Sequence, residues 1–220
     1  MKKGITKEQV IEKTLEITRD NQDFSKVNLR VIAREVGCAH TNLYNYFSNF
    51  DQLLCEVYIK VLSIFSAKIM EGISGINDYI LLLRKLFNEI IDFYLSNRGW
   101  FRLLWIESIS GIYKEAGYIE ASKSADKFVY IIEKNIKNNQ SEAPAIGQLK
   151  NYIHIVHCYI YGEVSLYISN HSFIQTGTNT LQKAGLIPFT ADRSIPEETS
   201  FRKYVVDEAM KIFLLFLKKE

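Results

Sequence analysis

The densest run of side chains able to do chemistry lies between Val27 and Leu54, VNLRVIAREVGCAHTNLYNYFSNFDQLL. His40, Thr41, Asn42 and Asn45 carry hydrogen-bonding groups suited to base edges. Tyr44 and Tyr46 end in hydroxyls that can reach phosphate oxygens. A second set combines aromatics with carboxylates: Trp100, Trp105 and Tyr113 around Glu107, and Tyr159 with Glu163. Facing a pocket, these would hold a flat, apolar or cationic molecule, because an unpaired buried carboxylate is costly. The other reading makes the aromatics ordinary core and the glutamates part of an outer helix face. A third set is His154, His157 and Cys158. Without a second ligand cluster these three read as polar or packed helix positions, and no metal is expected.

Nothing else in the chain has the pattern of a catalytic centre. A Gly-rich phosphate loop, GxSxG, HExxH and Glu-x-x-His are all missing, and the carboxylates are scattered along helices. The expectation is therefore a protein that is not an enzyme and has no cofactor. The charge count, 27 Lys and Arg against 25 Asp and Glu, gives +2 and excludes a histone-like or an acidic-tail chain. Hydrophobic residues at 47% with 24% charged place the 220 residues among globular proteins rather than disordered ones. Arg84, Glu89 and Asp92 break the longest apolar runs, so no membrane span is expected. The polar Met1–Val10 stretch does not read as a secretory leader, and Cys38, Cys55 and Cys158 form an odd set without CxxC spacing. These features point to unpaired thiols and a cytoplasmic location.

The elements that must position these groups are helices. All three prolines, Pro144, Pro188 and Pro196, fall in the last part of the chain, and apolar residues recur at three and four without sustained alternation. Thr6 and Gln9 form a capping box for a helix from Lys7 to Asp20. Asn28 caps a short helix with inner face Leu29, Ile32, Ala33 and Val36, ended by Gly37, and another short helix runs from His40 to Phe47. Asn49 and Gln52 open a long helix to Met70, which Gly72 and Gly75 end. Ile80, Leu83, Phe87, Ile90 and Tyr94 step 3-4-3-4 along the next, and Arg98-Gly99 breaks before a shorter helix that ends near Gly111. Further helices are expected from Gly117 to Asn138, from Pro144 to Asn170, and from 196 to 218 behind a Ser194–Glu197 capping box. The last begins with Glu197 and Glu198 and finishes with Lys218 and Lys219, matching the helix dipole at both ends. Residues 171 to 195 show no stripe and read as a lid, an arm or an insertion, with room for a short helix over Thr180–Ala184. The count is nine helices and no strand: an all-α chain.

Two short helices around Gly37 fit a helix-turn-helix, in which the first helix braces the second against the major groove. Leu43 and Phe47 share the inner face of the second, leaving Thr41, Asn42 and Asn45 outward with His40 at the leading end. This stretch resembles the TetR family of bacterial and archaeal repressors. The resemblance is carried by IAREVG at Ile32–Gly37, LYNYF at Leu43–Phe47 and DQLL at Asp51–Leu54, within the first 60 of 220 residues. It implies an N-terminal helix-turn-helix head over 1–48 and a helical ligand-binding and dimerisation body over 49–220. It also implies a homodimer on a palindromic double-stranded DNA operator, released when an effector, a small molecule of unknown identity, enters the body. Carried onto this chain, Arg30 contacts a base or phosphate, His40, Thr41, Asn42 and Asn45 face the groove, and Tyr44 and Tyr46 hold the backbone. Partial packing stays an even alternative for Tyr44, and a solvated face the weaker one for Asn45.

Two positions depart from the family pattern. Ala39 stands where Ser or Thr commonly begins the recognition helix, and losing such a cap costs about 1 kcal/mol. Phe50 stands where a phosphate-holding lysine is common. Residues 1–60 hold nine Lys and Arg and eight Asp and Glu, so the head is only +1 and its salt dependence on DNA should be shallow. The helices over 144–170 and 196–218 are apolar nearly all round, which needs cover on both sides: a second copy, or burial within one chain. The resemblance favours the copy. A helical module that binds protein, or a small-molecule binder without specific DNA contact, remains the alternative function.

Overall fold

The computed structural model describes residues 5–21, 23–107, 113–139, 144–169 and 197–218. Among them are nine α-helices, one 3-10 turn and no strand. The helices are α1 Lys7–Arg19, α2 Leu29–Val36, α3 His40–Leu43, α4 Phe50–Ile73, α5 Tyr79–Ser96, α6 Arg98–Trp105, α7 Tyr113–Asn139, α8 Ile146–Ser169 and α9 Glu198–Leu217. The chain forms two compact units, one of Met1–Ser74 with Phe93–Ile131 and one of Gly75–Asp92 with Ile132–Glu220. Helices α5 and α7 each contribute to both.

In the first unit the local signals act as the sequence suggests. Thr6 Oγ1 accepts the Gln9 N–H at 3.2 Å while Gln9 Oε1 accepts the Thr6 N–H at 2.9 Å, so two otherwise orphaned donors are satisfied. Asn28 Oδ1 takes the N–H groups of Arg30 and Val31 at 3.0 and 3.1 Å. Gly37 ends α2 with φ +83°, a left-handed turn that glycine enters without a Cβ penalty. The fully buried side chains of Val10, Ile32, Leu43, Phe47, Leu53 and Val57 form the core of the head, which draws on α1 to α4. Further along α4, Phe65 meets Phe93 edge-on at 5.0 Å and stacks on Tyr94 at 5.7 Å, and Tyr94 meets Phe101 of α6 at 5.0 Å.

Several boundaries differ from the sequence expectation. Helix α3 stops at Leu43 instead of Phe47, and Tyr44, Asn45 and Tyr46 turn through i→i+3 bonds to Thr41, Asn42 and Leu43. Ala39 offers no side-chain cap, so this single turn is held from below by Leu43 and Phe47. Helix α4 runs through Gly72 to Ile73, and Gly75, at φ +75°, makes the turn that follows. The break before α6 is Asn97 alone, and Arg98 and Gly99 are already helical. Helix α6 ends at Trp105, where the Glu107 N–H returns to the Arg102 carbonyl at 2.9 Å. Helix α7 starts at Tyr113, four residues before Gly117.

In the second unit α8 and α9 are antiparallel. Tyr152 stacks on Phe216 at 4.7 Å near one end of the pair and Tyr167 on Phe201 at 4.1 Å near the other. Arg202 of α9 donates to Asp92 and to Glu198, both at 2.8 Å. Helix α8 begins at Ile146, two residues after the buried Pro144, with the Ala145 N–H on Gln148 Oε1 at 3.0 Å. Helix α9 begins at Glu198: Glu197 is its N-cap and makes no side-chain cap bond, so only Glu198 occupies the first turn, and Lys218 is the C-cap. Ser194, Lys219 and the segment from 171 to 195, with the helix expected over Thr180–Ala184, lie outside the described residues.

Candidate nucleic-acid interface

The head presents a polar surface on a hydrophobic base. Leu43 and Phe47 are wholly buried, and their spacing of four turns the intervening side chains outward. His40, Thr41, Asn42, Tyr44 and Asn45 are all exposed, Tyr44 to 54%. Its ring meets the His40 imidazole edge-on, 6.3 Å between centroids. Arg30, exposed in the first turn of α2, completes the set. Tyr46 is different. It is half-buried, and its hydroxyl donates to the Ile5 carbonyl, so its proton is committed to the segment leading into α1. Lys7, two residues on, pairs with Glu56 at 2.7 Å and lies 5.5 Å from the Phe47 ring centroid. Asn49 accepts the Gln52 N–H at 2.9 Å, and Gln52 reaches back to the Ser48 N–H at 2.6 Å, which fixes the entry to α4.

The residues considered for a ligand have separate surroundings within their own units. Trp100 is buried and donates its indole N–H to the Leu15 carbonyl at 3.1 Å, and it stacks on Phe93 at 6.0 Å. Trp105 packs edge-on to Tyr94 at 6.3 Å, where burial pushes the tyrosine hydroxyl far above its ordinary value. Glu107 accepts from Arg102 Nη2 at 2.9 Å and Nε at 3.2 Å, so its charge has an internal partner. The Tyr113 side chain lies outside the described residues. Tyr159 and Glu163 do meet, one turn apart on α8, opposite Tyr204 and Glu208 of α9. Burial raises the Glu163 carboxyl and, aided by the Glu163 charge, the Tyr159 hydroxyl.

Sequence reasoning missed the contacts that seat α6. An added Cβ on Gly99 would stand 2.0 Å from the Thr18 carbonyl oxygen, 2.6 Å from that of Asn21 and 2.9 Å from that of Arg19. Arg19 Nε donates to Asn97 Oδ1 at 2.7 Å while Asn97 Nδ2 donates to the Phe93 carbonyl at 2.8 Å. The Arg19 guanidinium also lies over Trp100, 5.6 Å from the ring centroid. Only the glycine itself was visible as a signal, and it reads equally well as a helix break.

Among the described residues no group of three His, Cys, Asp or Glu side chains could hold a metal, and no helix is long and apolar enough to cross a membrane. Cys158 and His154 touch on the exposed side of α8, sulfur to ring nitrogens 3.7 and 3.9 Å, and burial pulls His157 down to about 4.

Two short helices in helix-turn-helix order, followed along the chain by long helices, define a class of all-α helix-turn-helix folds, and comparison with solved structures narrows it. A TetR-like transcriptional regulator from Rhodococcus sp. RHA1 superposes with a TM-score of 0.60 at 10% identity, covering 100% of both chains. The TetR family transcriptional regulator PfmR from Thermus thermophilus gives 0.59 at 13%, over 92% of this chain and 97% of that one. TetR-Q116A from Acinetobacter baumannii AYE, in complex with minocycline, gives 0.58 at 16%, over 98% of each. No family model and no curated protein sequence matches the chain. The fold is that of TetR-family transcription regulators.

Proposed function

We propose that this chain is a ligand-responsive transcription regulator, a repressor, that binds a palindromic operator as a homodimer and is released by a small-molecule effector. The observation that carries this reading is the exposed row His40, Thr41, Asn42, Tyr44 and Asn45, set on a turn whose underside is the buried pair Leu43 and Phe47. Such a row is of little use to folding, since each side chain points into solvent, but it suits base edges and phosphates. The division of labour follows: residues 1–48 read DNA, and 49–220 bind ligand and partner. A ligand role for the body is supported by the minocycline complex of the Acinetobacter baumannii neighbour. Dimerisation is supported by apolar side chains left exposed on α8 and α9, Ile155 at 45%, Leu166 at 38% and Leu215 at 59%. Identical copies meeting there would bury them.

Thr41→Ala and Asn45→Ala test the groove assignment. Each should weaken binding to a selected operator by about 1–3 kcal/mol, roughly 5- to 150-fold, in a fluorescence-anisotropy titration. Thermal unfolding and oligomeric state should stay unchanged. Wild-type affinity in both variants would show that the row does not touch bases. The near-neutral head favours the second reading, a protein-binding module, and selection from a random DNA pool decides between them: a DNA reader enriches one sequence and a protein-binding module enriches none.

A further inference from the structure

Helix α8 has one buried side and one open side. Leu149, Val156, Ile160, Val164 and Ile168 are buried, and on the opposite side Asn151, His154, Ile155, Cys158 and Leu166 are exposed. Gly162 lies on the open side one turn after Cys158, and an added Cβ there would meet nothing within 4 Å. Midway along the helix His154 and Cys158, four residues apart, touch: the sulfur is 3.7 Å from Nε2 and 3.9 Å from Nδ1. A sulfur and a nitrogen on one tetrahedral zinc, bound at about 2.3 Å and about 2.0–2.1 Å, stand about 3.6 Å apart. The pair is therefore already spaced as two ligands of one ion. Thiolate with imidazole suits zinc, whereas magnesium and calcium take oxygen ligands.

One chain supplies half of a closed site. Among the described residues no group of three His, Cys, Asp or Glu side chains could hold a metal. A two-fold axis doubles the pair to four ligands, the number a structural zinc site takes. The place for that axis is indicated by the surroundings. Ile155 and Leu166, the exposed apolar residues of the face assigned above to a second copy, flank Cys158 along the helix. Cys158 and Gly162 between them are small, so a facing helix can come close there. We propose that His154 and Cys158 of two copies together bind one zinc ion across the two-fold axis, joining α8 of one protomer to α8 of the other. Each thiol gives its proton to solvent as its sulfur binds, and the imidazoles bind in their neutral form. The complete site exists only in the dimer, so zinc favours the dimer by mass action. The inference rests on the homodimer reading above and deepens it.

The test uses the full chain with thiols reduced, stripped of metal with EDTA and desalted. Cobalt(II) serves as the spectroscopic probe and zinc as its competitor. Cobalt should give the visible bands of a tetrahedral site and a sulfur-to-cobalt charge-transfer band, saturating at one ion per two chains, and zinc should erase both. Cys158→Ser should abolish the charge transfer and His154→Ala the tetrahedral bands. Both positions are exposed, so helical circular dichroism should be unaltered. In sedimentation equilibrium zinc should lower the dimer dissociation constant of the wild type at least about tenfold, and that of neither variant. Spectra unchanged in the variants, saturation at one ion per chain, or no cobalt bound would each overturn the shared site while leaving the dimer standing. A wild type that stays monomeric with and without zinc would overturn the homodimer reading and the site with it.

Discussion

His157 shows how a single side chain on α8 couples folding to pH. Burial, reinforced by the neighbouring His154 charge, depresses its ring to about 4 from the ordinary 6.5. Between those values the unfolded chain binds a proton that the folded chain does not, so stability rises with pH across this window. The contribution is complete above about pH 6.5 and is lost as pH falls toward 4. The unfolding free energy in urea should therefore drop between about pH 7 and pH 5, and His157→Gln should reduce that drop by about 1–2 kcal/mol. An identical drop in the variant would assign the acid sensitivity to other groups. At the same scale Tyr46 marks where residue type alone misleads. A tyrosine beside a helix-turn-helix turn reads as a phosphate ligand, but the fold gives its hydroxyl proton to the Ile5 carbonyl. Nothing in the spacing of LYNYF distinguishes the exposed Tyr44 from the half-buried Tyr46 except their phase relative to Leu43 and Phe47.

Helices form this protein's next level, and the seat of α6 on α1 leaves no room for a side chain at Gly99. Glycine inside a helix costs up to about 1 kcal/mol relative to alanine, yet Gly99 lies in the first turn of α6 because backbone carbonyls of residues 18, 19 and 21 occupy the space of its absent side chain. Backbone cannot swing aside as a flexible side-chain tip can. Gly99→Ala should thus cost about 3 kcal/mol, the upper end of overpacking penalties, read as a lowered urea midpoint. Gly147→Ala is the control: an added Cβ there meets nothing within 4 Å, and helix propensity alone should leave stability unchanged or raise it by up to about 1 kcal/mol. Equal behaviour of the two variants would show that α6 does not bear on α1 as described. Element ends were legible where a side chain dictates them, as Thr6, Asn28, Gly37 and Asn49 do. They were misplaced where the deciding contact is tertiary, as at Asn97, Leu43 and Glu197.

At the scale of the whole molecule the proposed homodimer rests on apolar surface of α8 and α9. Ile155, Leu166 and Leu215 are large apolar side chains in contact with water on helices whose other faces are buried. If α8 and α9 form the homodimer interface, Ile155→Arg places a charge at its centre and should raise the dimer dissociation constant at least about 30-fold. Light scattering after size exclusion would then report a monomer with unaltered helical circular dichroism. A dimer that survives the substitution would move the interface elsewhere.

Local sequence was enough to establish the class of this protein. Apolar spacing at three and four, caps at the helix starts and a late, sparse set of prolines are local properties, and they sufficed for the nine helices among the described residues and a helix-turn-helix head with its outward row of polar side chains. Charge counting also came from the residues themselves, giving a head of only +1. Packing, by contrast, settles which of those groups remain available. Whether Trp100 lines a pocket or is tied to Leu15, whether Glu107 is unpaired or held by Arg102, and whether Lys7 meets a carboxylate all depend on neighbours distant in sequence or on the far turn of a helix. Periodicity assigns a side chain to a face; only the packed fold supplies the atoms that the face meets.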